Sequence, residues 1–96
     1  MKVKNLNGTA VNKCNCKSWL DHWMKFSRQK ANRCMVNDCR NLPEVGGHVQ
    51  KDSKTDKSWY IVPLCKPCNG KKGEDIDIFD GVNLVSANVA ETCGKK

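Results

Sequence analysis

The sequence predicts a small α+β domain, on three observations. Two cysteine pairs, Cys34-x4-Cys39 and Cys65-x2-Cys68, stand about thirty residues apart. Two β-like runs, Glu44–Gln50 and Lys57–Val62, lie between them, and an amphipathic run opening at Ser18 precedes them. At 96 residues the chain makes one domain, too small to bury a large core, and a structural metal helps many domains of this size. It divides into a basic arm and helix (1–32), a metal-binding core (33–73) and a hairpin and tail (74–96).

In chain order, residues 1–13 are polar and carry an Asn7-Gly8 turn signal, which predicts a short strand or extended arm. Ser18 can cap a helix, and Asp21 three positions later resembles a capping box with Asp in place of Glu. Trp19, Leu20, Trp23, Met24 and Phe26 fall close to one helical face, with Asp21, Lys25 and Arg28 elsewhere. Such a stripe can stack bases, but the burial record of aromatics makes it core.

Cys34–Cys39 reads as a tight loop with Asn37-Asp38 inside, followed by a hairpin of Glu44–Gln50 and Lys57–Val62 that Pro63 ends. Pro67 suits the first turn of a helix and Gly73 its exit. Glu74–Phe79 alternates acid and apolar, Asp80-Gly81 gives a turn and Val82–Val85 a second run, which together predict a C-terminal hairpin. Residues 86–93 then read as a short terminal helix with Gly94 as its stop.

Seven cysteines without an apolar stretch in residues 1–8 argue against a secreted disulfide framework and against a membrane anchor. The expectation is a reducing cytosol with metal-bound or free thiols. Zn²⁺ takes four tetrahedral thiolate or imidazole ligands, and cysteine pairs at short spacing grip opposite sides of one ion. Cys34, Cys39, Cys65 and Cys68 are the expected set, with the last two beside a helix N-terminus that favours their negative charge. Cys14, Cys16 and Cys93 read first as small buried fillers; with His22 they would complete a second, Cys3His site.

The net charge of +7 is uneven. Residues 1–43 hold nine Lys or Arg against Asp21 and Asp38, whereas residues 44–96 hold eight of each sign. Clustered cations release counterions when they bind phosphates, so DNA or RNA is the first partner to consider, against the plainer reading of a solvated surface. The acidic run at 74–79 would repel phosphates, which places a nucleic-acid surface on the opposite side, with residues 2–40.

Knuckle, β-hairpin and helix, with two cysteines on the helix, resembles the treble-clef finger. Leu64-Cys65-Lys66-Pro67-Cys68-Asn69, with a histidine on the first hairpin strand, resembles the HNH (ββα-metal) endonucleases, nearest the phage recombination endonuclease VII branch. The resemblance covers residues 33–73. It implies that His48 is the general base that activates water, and that Asn69 is a ligand of a catalytic Mg²⁺ or Mn²⁺. The family carries Asp or His just before the base, where this chain has Gly47, and residues 49–64 contain no Asn to orient the base. Asp52 and Asp56 lie in the hairpin turn, too far away to substitute.

His48 thus has three readings: a relic base that packs and hydrogen-bonds, a working base whose metal ligand comes from elsewhere, or a zinc ligand beside a cysteine. The leading functional expectation is a zinc-stabilised nucleic-acid-binding module that is a degenerate nuclease. The alternatives are an active metal-dependent endonuclease and a zinc module that binds a protein partner.

Overall fold

In the computed structural model, which describes residues 1–6, 14–89 and 92–93, an antiparallel sheet and a packed helix make up the α+β fold. The elements are β1 (Lys2–Asn5), α1 (Trp19–Ser27), β2 (Val45–Lys51), β3 (Trp59–Leu64), α2 (Lys66–Asn69), β4 (Asp75–Asp77) and β5 (Val85–Ser86). The sheet runs β4-β1-β2-β3-β5. Its centre is the β2–β3 hairpin, with His48 opposite Ile61 and Gly47 opposite Val62.

Alternation along paired strands sorts the core into two faces. His48 and Ile61 point toward α1. Val3, Val49, Val62, Leu64 and Ile76, all buried, occupy the other face. Ser18 caps α1 as its sequence implies, accepting a hydrogen bond from the Asp21 N–H at 3.1 Å. The buried positions of α1 are His22, Trp23 and Ser27, whereas Met24 and Phe26 are more than a third exposed (38% and 36%). The apolar stripe is therefore only partly the core face. Polar residues replace its outer members because each finds a partner inside: His22 Nε2 meets Ser86 O at 2.9 Å, and Ser27 Oγ accepts from the Gln29 N–H at 3.0 Å.

The expected C-terminal hairpin does not form. β4 pairs with β1 and β5 with β3, at opposite edges of the sheet. The intervening segment instead serves α1. Asn83 O accepts from Trp23 Nε1 at 2.8 Å, the Asn83 N–H donates to Gln29 Oε1 at 2.9 Å, and Asn83 Nδ2 donates to Ser27 O at 2.9 Å. With its own N–H and carbonyl engaged in this way, Asn83 has neither to spare for β4.

Two smaller expectations also fail. Pro63 lies within β3, opposite Gly46. Its carbonyl accepts from Met35 N–H at 3.0 Å, so its nitrogen points to that same edge, beyond the reach of β5, where no ladder donor is needed. The helix after Cys65 is a single turn ending at Asn69, capped by Gly70, whose N–H meets Lys66 O at 2.8 Å. Gly73 turns the chain farther on, at φ 76°, and donates to Asn5 O at 2.7 Å. The Asn7-Gly8 turn and Gly94 lie outside the described residues, as does part of the 86–93 helix, whose first residue belongs to β5. Among the described residues no helix is long and apolar enough to cross a membrane.

Candidate metal centres

Cys34 and Cys39 bracket a turn in which Asp38 takes a left-handed conformation, φ 66°. The turn is held at both ends. Cys34 N–H donates to Asn41 O at 2.9 Å, and Asn37 N–H donates to Asp77 O at 2.8 Å. Arg33 lies over the Phe79 ring, 4.3 Å to its centre, and its guanidinium donates to the carbonyls of Cys34 and Cys39. The second pair comes from the end of β3 and from α2: Cys65 is the N-cap, and Cys68 lies within the helical turn.

The four sulfurs of Cys34, Cys39, Cys65 and Cys68 lie within 4.8 Å of one another, with Cys39 Sγ 3.7 Å from both Cys65 Sγ and Cys68 Sγ. Tetrahedral zinc with Zn–S near 2.3 Å needs sulfurs about 3.8 Å apart, so the donor set and its spacing fit structural zinc. Burial opposes ionisation of Cys65. Hydrogen bonds from the Cys68 backbone, the Asn41 amide and neighbouring thiols outweigh it and bring the thiol to about 7. Burial pushes Cys34 up. Cys68 is also raised, by burial and by the adjoining thiols. Such crowding favours a cation that replaces the shared protons.

A second group, Cys14, Cys16, His22 and Cys93, converges just as closely, within 4.8 Å. These side chains are not mere fillers: a Cys3His donor set of this spacing also fits structural zinc. Burial raises Cys16 to about 11, helped by Cys93 and Cys14. Burial opposes ionisation of Cys93 too, but the hydrogen bond that it accepts from the Asn15 N–H, and its contacts with His22 and Cys16, lower it to about 7.

His48 and Asn69 belong to different faces of the sheet. A Cβ placed on Gly47 would lie 3.0 Å from Asn69 Oδ1 and 2.4 Å from Leu64 Cδ1, so the position before the histidine points to Asn69. His48 points the other way, under α1, with its ring 4.7 Å from Trp19 and 6.4 Å from Trp59. It is 5% exposed, and its Nε2 is buried without a hydrogen-bond partner. Burial first, then the charges of Lys72 and His22, lowers its pKa to about 4. Asn69 Oδ1 accepts from Lys72 Nζ at 3.1 Å, an ammonium where a divalent cation would sit. Among the described residues no group of three or more carboxylate, Cys or His donors gathers at Asn69, and Mg²⁺ or Mn²⁺ has no support there. Asp56 is occupied within the hairpin end by the Tyr60 hydroxyl at 2.6 Å and Lys51 at 3.3 Å.

Several contributors escaped the sequence reading. Asn5, fully buried on β1, donates to Asn69 O at 2.9 Å and anchors α2. Asn41 supports Cys65, Arg33 clamps the knuckle and the Ser86 carbonyl orients His22. Asn5, Asn41 and Ser86 find their partners far along the chain, and Arg33 binds backbone carbonyls of its own loop, so none leaves a pattern of side-chain types.

The charge distribution also differs from expectation. β4 lies beside β1, with Lys2 opposite Asp77 and Lys4 opposite Asp75. The acidic strand thus neighbours the basic arm instead of occupying the far side. Arg33 is engaged by the knuckle. Among the described Lys and Arg residues, Lys51 is the one in an ion pair with a described acid. Lys17, Lys25, Arg28, Lys30 and Arg40 are exposed, as are Lys66, Lys71 and Lys72 around α2.

Compared with family models, curated proteins and solved structures, the chain has no match.

Proposed function

We propose that this chain is a zinc-stabilised nucleic-acid-binding module of treble-clef, HNH-like type, a degenerate nuclease that holds phosphates without cutting them. The observation that carries the reading is the uncompensated charge on the outer side of α1 and the segment after it. Lys25, Arg28 and Lys30 are exposed there without acidic partners among the described residues, beside a partly exposed Phe26. Exposed cations of this kind gain affinity for phosphate by releasing counterions.

The same fold disfavours the active-endonuclease reading. A general base must reach the attacking water, and His48 is buried beneath Trp19, while Asn69 is paired with Lys72. Hydrolysis of a phosphodiester also needs a cation at the leaving oxygen, and among the described residues no cluster of three or more metal-ligating side chains gathers at Asn69 to hold one.

The test is binding of the zinc-loaded chain to duplex and single-stranded DNA and RNA across a salt series. We expect affinity to fall steeply with salt. Lys25→Ala, Arg28→Ala and Lys30→Ala together should reduce the log–log slope by roughly 2–3, at about 0.7–0.9 per phosphate contact. Binding that ignores both salt and these changes would sink the proposal and favour a protein partner. Plasmid cleavage in Mg²⁺ or Mn²⁺ that His48→Ala abolishes would restore the enzyme reading.

A further inference from the structure

We infer that Cys14, Cys16, Nδ1 of His22 and Cys93 form a second zinc site, separate from the four-cysteine centre, which clamps the N-terminal half of α1 to the segments that carry Cys14, Cys16 and Cys93. The sulfur count alone would not carry this. What carries it is the orientation of the imidazole. His22 is fully buried, and its Nε2 lies 2.9 Å from the Ser86 carbonyl oxygen. A carbonyl only accepts, so Nε2 bears the hydrogen and Nδ1 keeps a free lone pair. That lone pair faces sulfur: Cys93 Sγ is 3.4 Å away and Cys16 Sγ 3.9 Å.

These distances bracket the tetrahedral requirement. With Zn–N near 2.05 Å and Zn–S near 2.3 Å, nitrogen and sulfur ligands stand about 3.6 Å apart. A histidine whose other nitrogen donates to a backbone carbonyl is the usual arrangement of a metal-bound imidazole, because that bond fixes both tautomer and ring orientation. The Cys93 sulfur also accepts a backbone hydrogen bond from Asn15 N–H at 3.3 Å, which favours a thiolate. Cys14 Sγ lies 3.7 Å from Ser18 O and 3.8 Å from Cys16 O, as a protonated thiol would. Zinc binding would release that proton together with those of the other thiols.

The placement supplies a reason for the site. Cys14 and Cys16 precede α1, His22 lies in its second turn, and Cys93 arrives from far along the chain. Ser86, which orients the histidine, is on β5 at the sheet edge. One ion would therefore close a loop of nearly the whole chain, which a domain this small has little apolar core to close by itself.

The experiment is a metal count on the full chain saturated with Zn²⁺ and desalted, with alkylation of the native protein as a parallel readout. Two zinc ions per chain and seven protected cysteines are expected. Cys93→Ser should leave one zinc, with Cys14 and Cys16 now alkylated and Cys34, Cys39, Cys65 and Cys68 still protected. Substitution with Co²⁺ gives an independent signature, because thiolate in place of imidazole moves the cobalt bands to longer wavelength. His22→Cys should keep two ions and shift one set of bands toward that of the four-cysteine centre. A single zinc in the saturated wild type, with Cys14, Cys16 and Cys93 freely alkylated, would overturn the site. So would a Co²⁺ spectrum that His22→Cys leaves unchanged. If Cys93→Ser fails to fold, the wild-type count and alkylation pattern decide alone.

Discussion

Gly46 and Trp19 meet backbone to backbone: a Cβ on Gly46 would lie 2.5 Å from the Trp19 carbonyl carbon and 2.7 Å from the Leu20 nitrogen. No side chain fits between them, so glycine is what lets α1 lie directly over β2 and seal His48 beneath it. Gly46→Ala should lift the first turn of α1 and cost on the order of 1–3 kcal/mol. Diethyl pyrocarbonate should then modify His48 much faster than in the wild type. Unchanged stability and reactivity would show that α1 does not depend on this contact.

On the opposite face the crowding comes from a side chain. A Cβ on Gly47 would collide with Leu64 Cδ1 at 2.4 Å, and Leu64 is fully buried. Placing an acid there with Gly47→Asp should therefore destabilise the domain before it builds a cation site. Gly47→Ala and Leu64→Ala should each destabilise, by about 1–3 and 2–5 kcal/mol, yet the double variant should lose less than their sum. Strict additivity in denaturant melts would remove the steric account.

Arg33 offers a way to separate scaffold from phosphate contact. Its planar fork spans the carbonyls of Cys34 and Cys39, which a lysine cannot reproduce at equal charge. Arg33→Lys should weaken zinc at the four-cysteine centre by roughly 10–100-fold, the usual scale for groups that orient metal ligands. The salt slope of nucleic-acid binding measured at saturating zinc should stay unchanged. A lower slope with unaltered zinc affinity would make Arg33 a phosphate ligand instead.

Acid should find His48. Its folded pKa, about 4, lies below the ordinary value of 6.5, so between these limits the unfolded chain binds the extra proton. The resulting stability is present above about pH 6.5 and lost as pH falls toward about 4, by up to roughly tenfold in the folding constant per unit. His48→Gln, compared with wild type at saturating zinc, should show a shallower loss across that window. Parallel curves would mean that the imidazole stays solvated.

Removing metal tests the frame itself. Because a thiolate site does not exist in the unfolded chain, zinc binding energy is folding energy. Chelation should abolish amide-exchange protection around Cys34–Cys39 and Cys65–Cys68 and collapse the dispersion of the Val49, Val62 and Leu64 signals. A metal-free chain with native protection would contradict a structural role for the ion.

Much of the candidate centre was legible because its signals are local. The spacing within each cysteine pair, the Ser18 cap and the β2–β3 hairpin each depend on nearby residues, and the structure brings the four thiols of the two pairs together. The C-terminal hairpin failed for a related reason. Asp80-Gly81 is a sound turn signal, but β1 and β3 offered β4 and β5 better edges than each other, and no local pattern reports that competition.

The sequence by itself determined the donor types, the strand and helix forms near them and the sign of the charge, since these follow from side-chain chemistry and short-range periodicity. Only the tertiary structure decided that Cys14, Cys16 and His22 meet Cys93, that Lys2 and Lys4 face Asp77 and Asp75, and that His48 and Asn69 lie on opposite faces. Each of those outcomes joins or separates residues through sheet register and helix docking. A shift of one position along a strand turns a side chain to the other face, so contact between distant residues is a property of the packed whole.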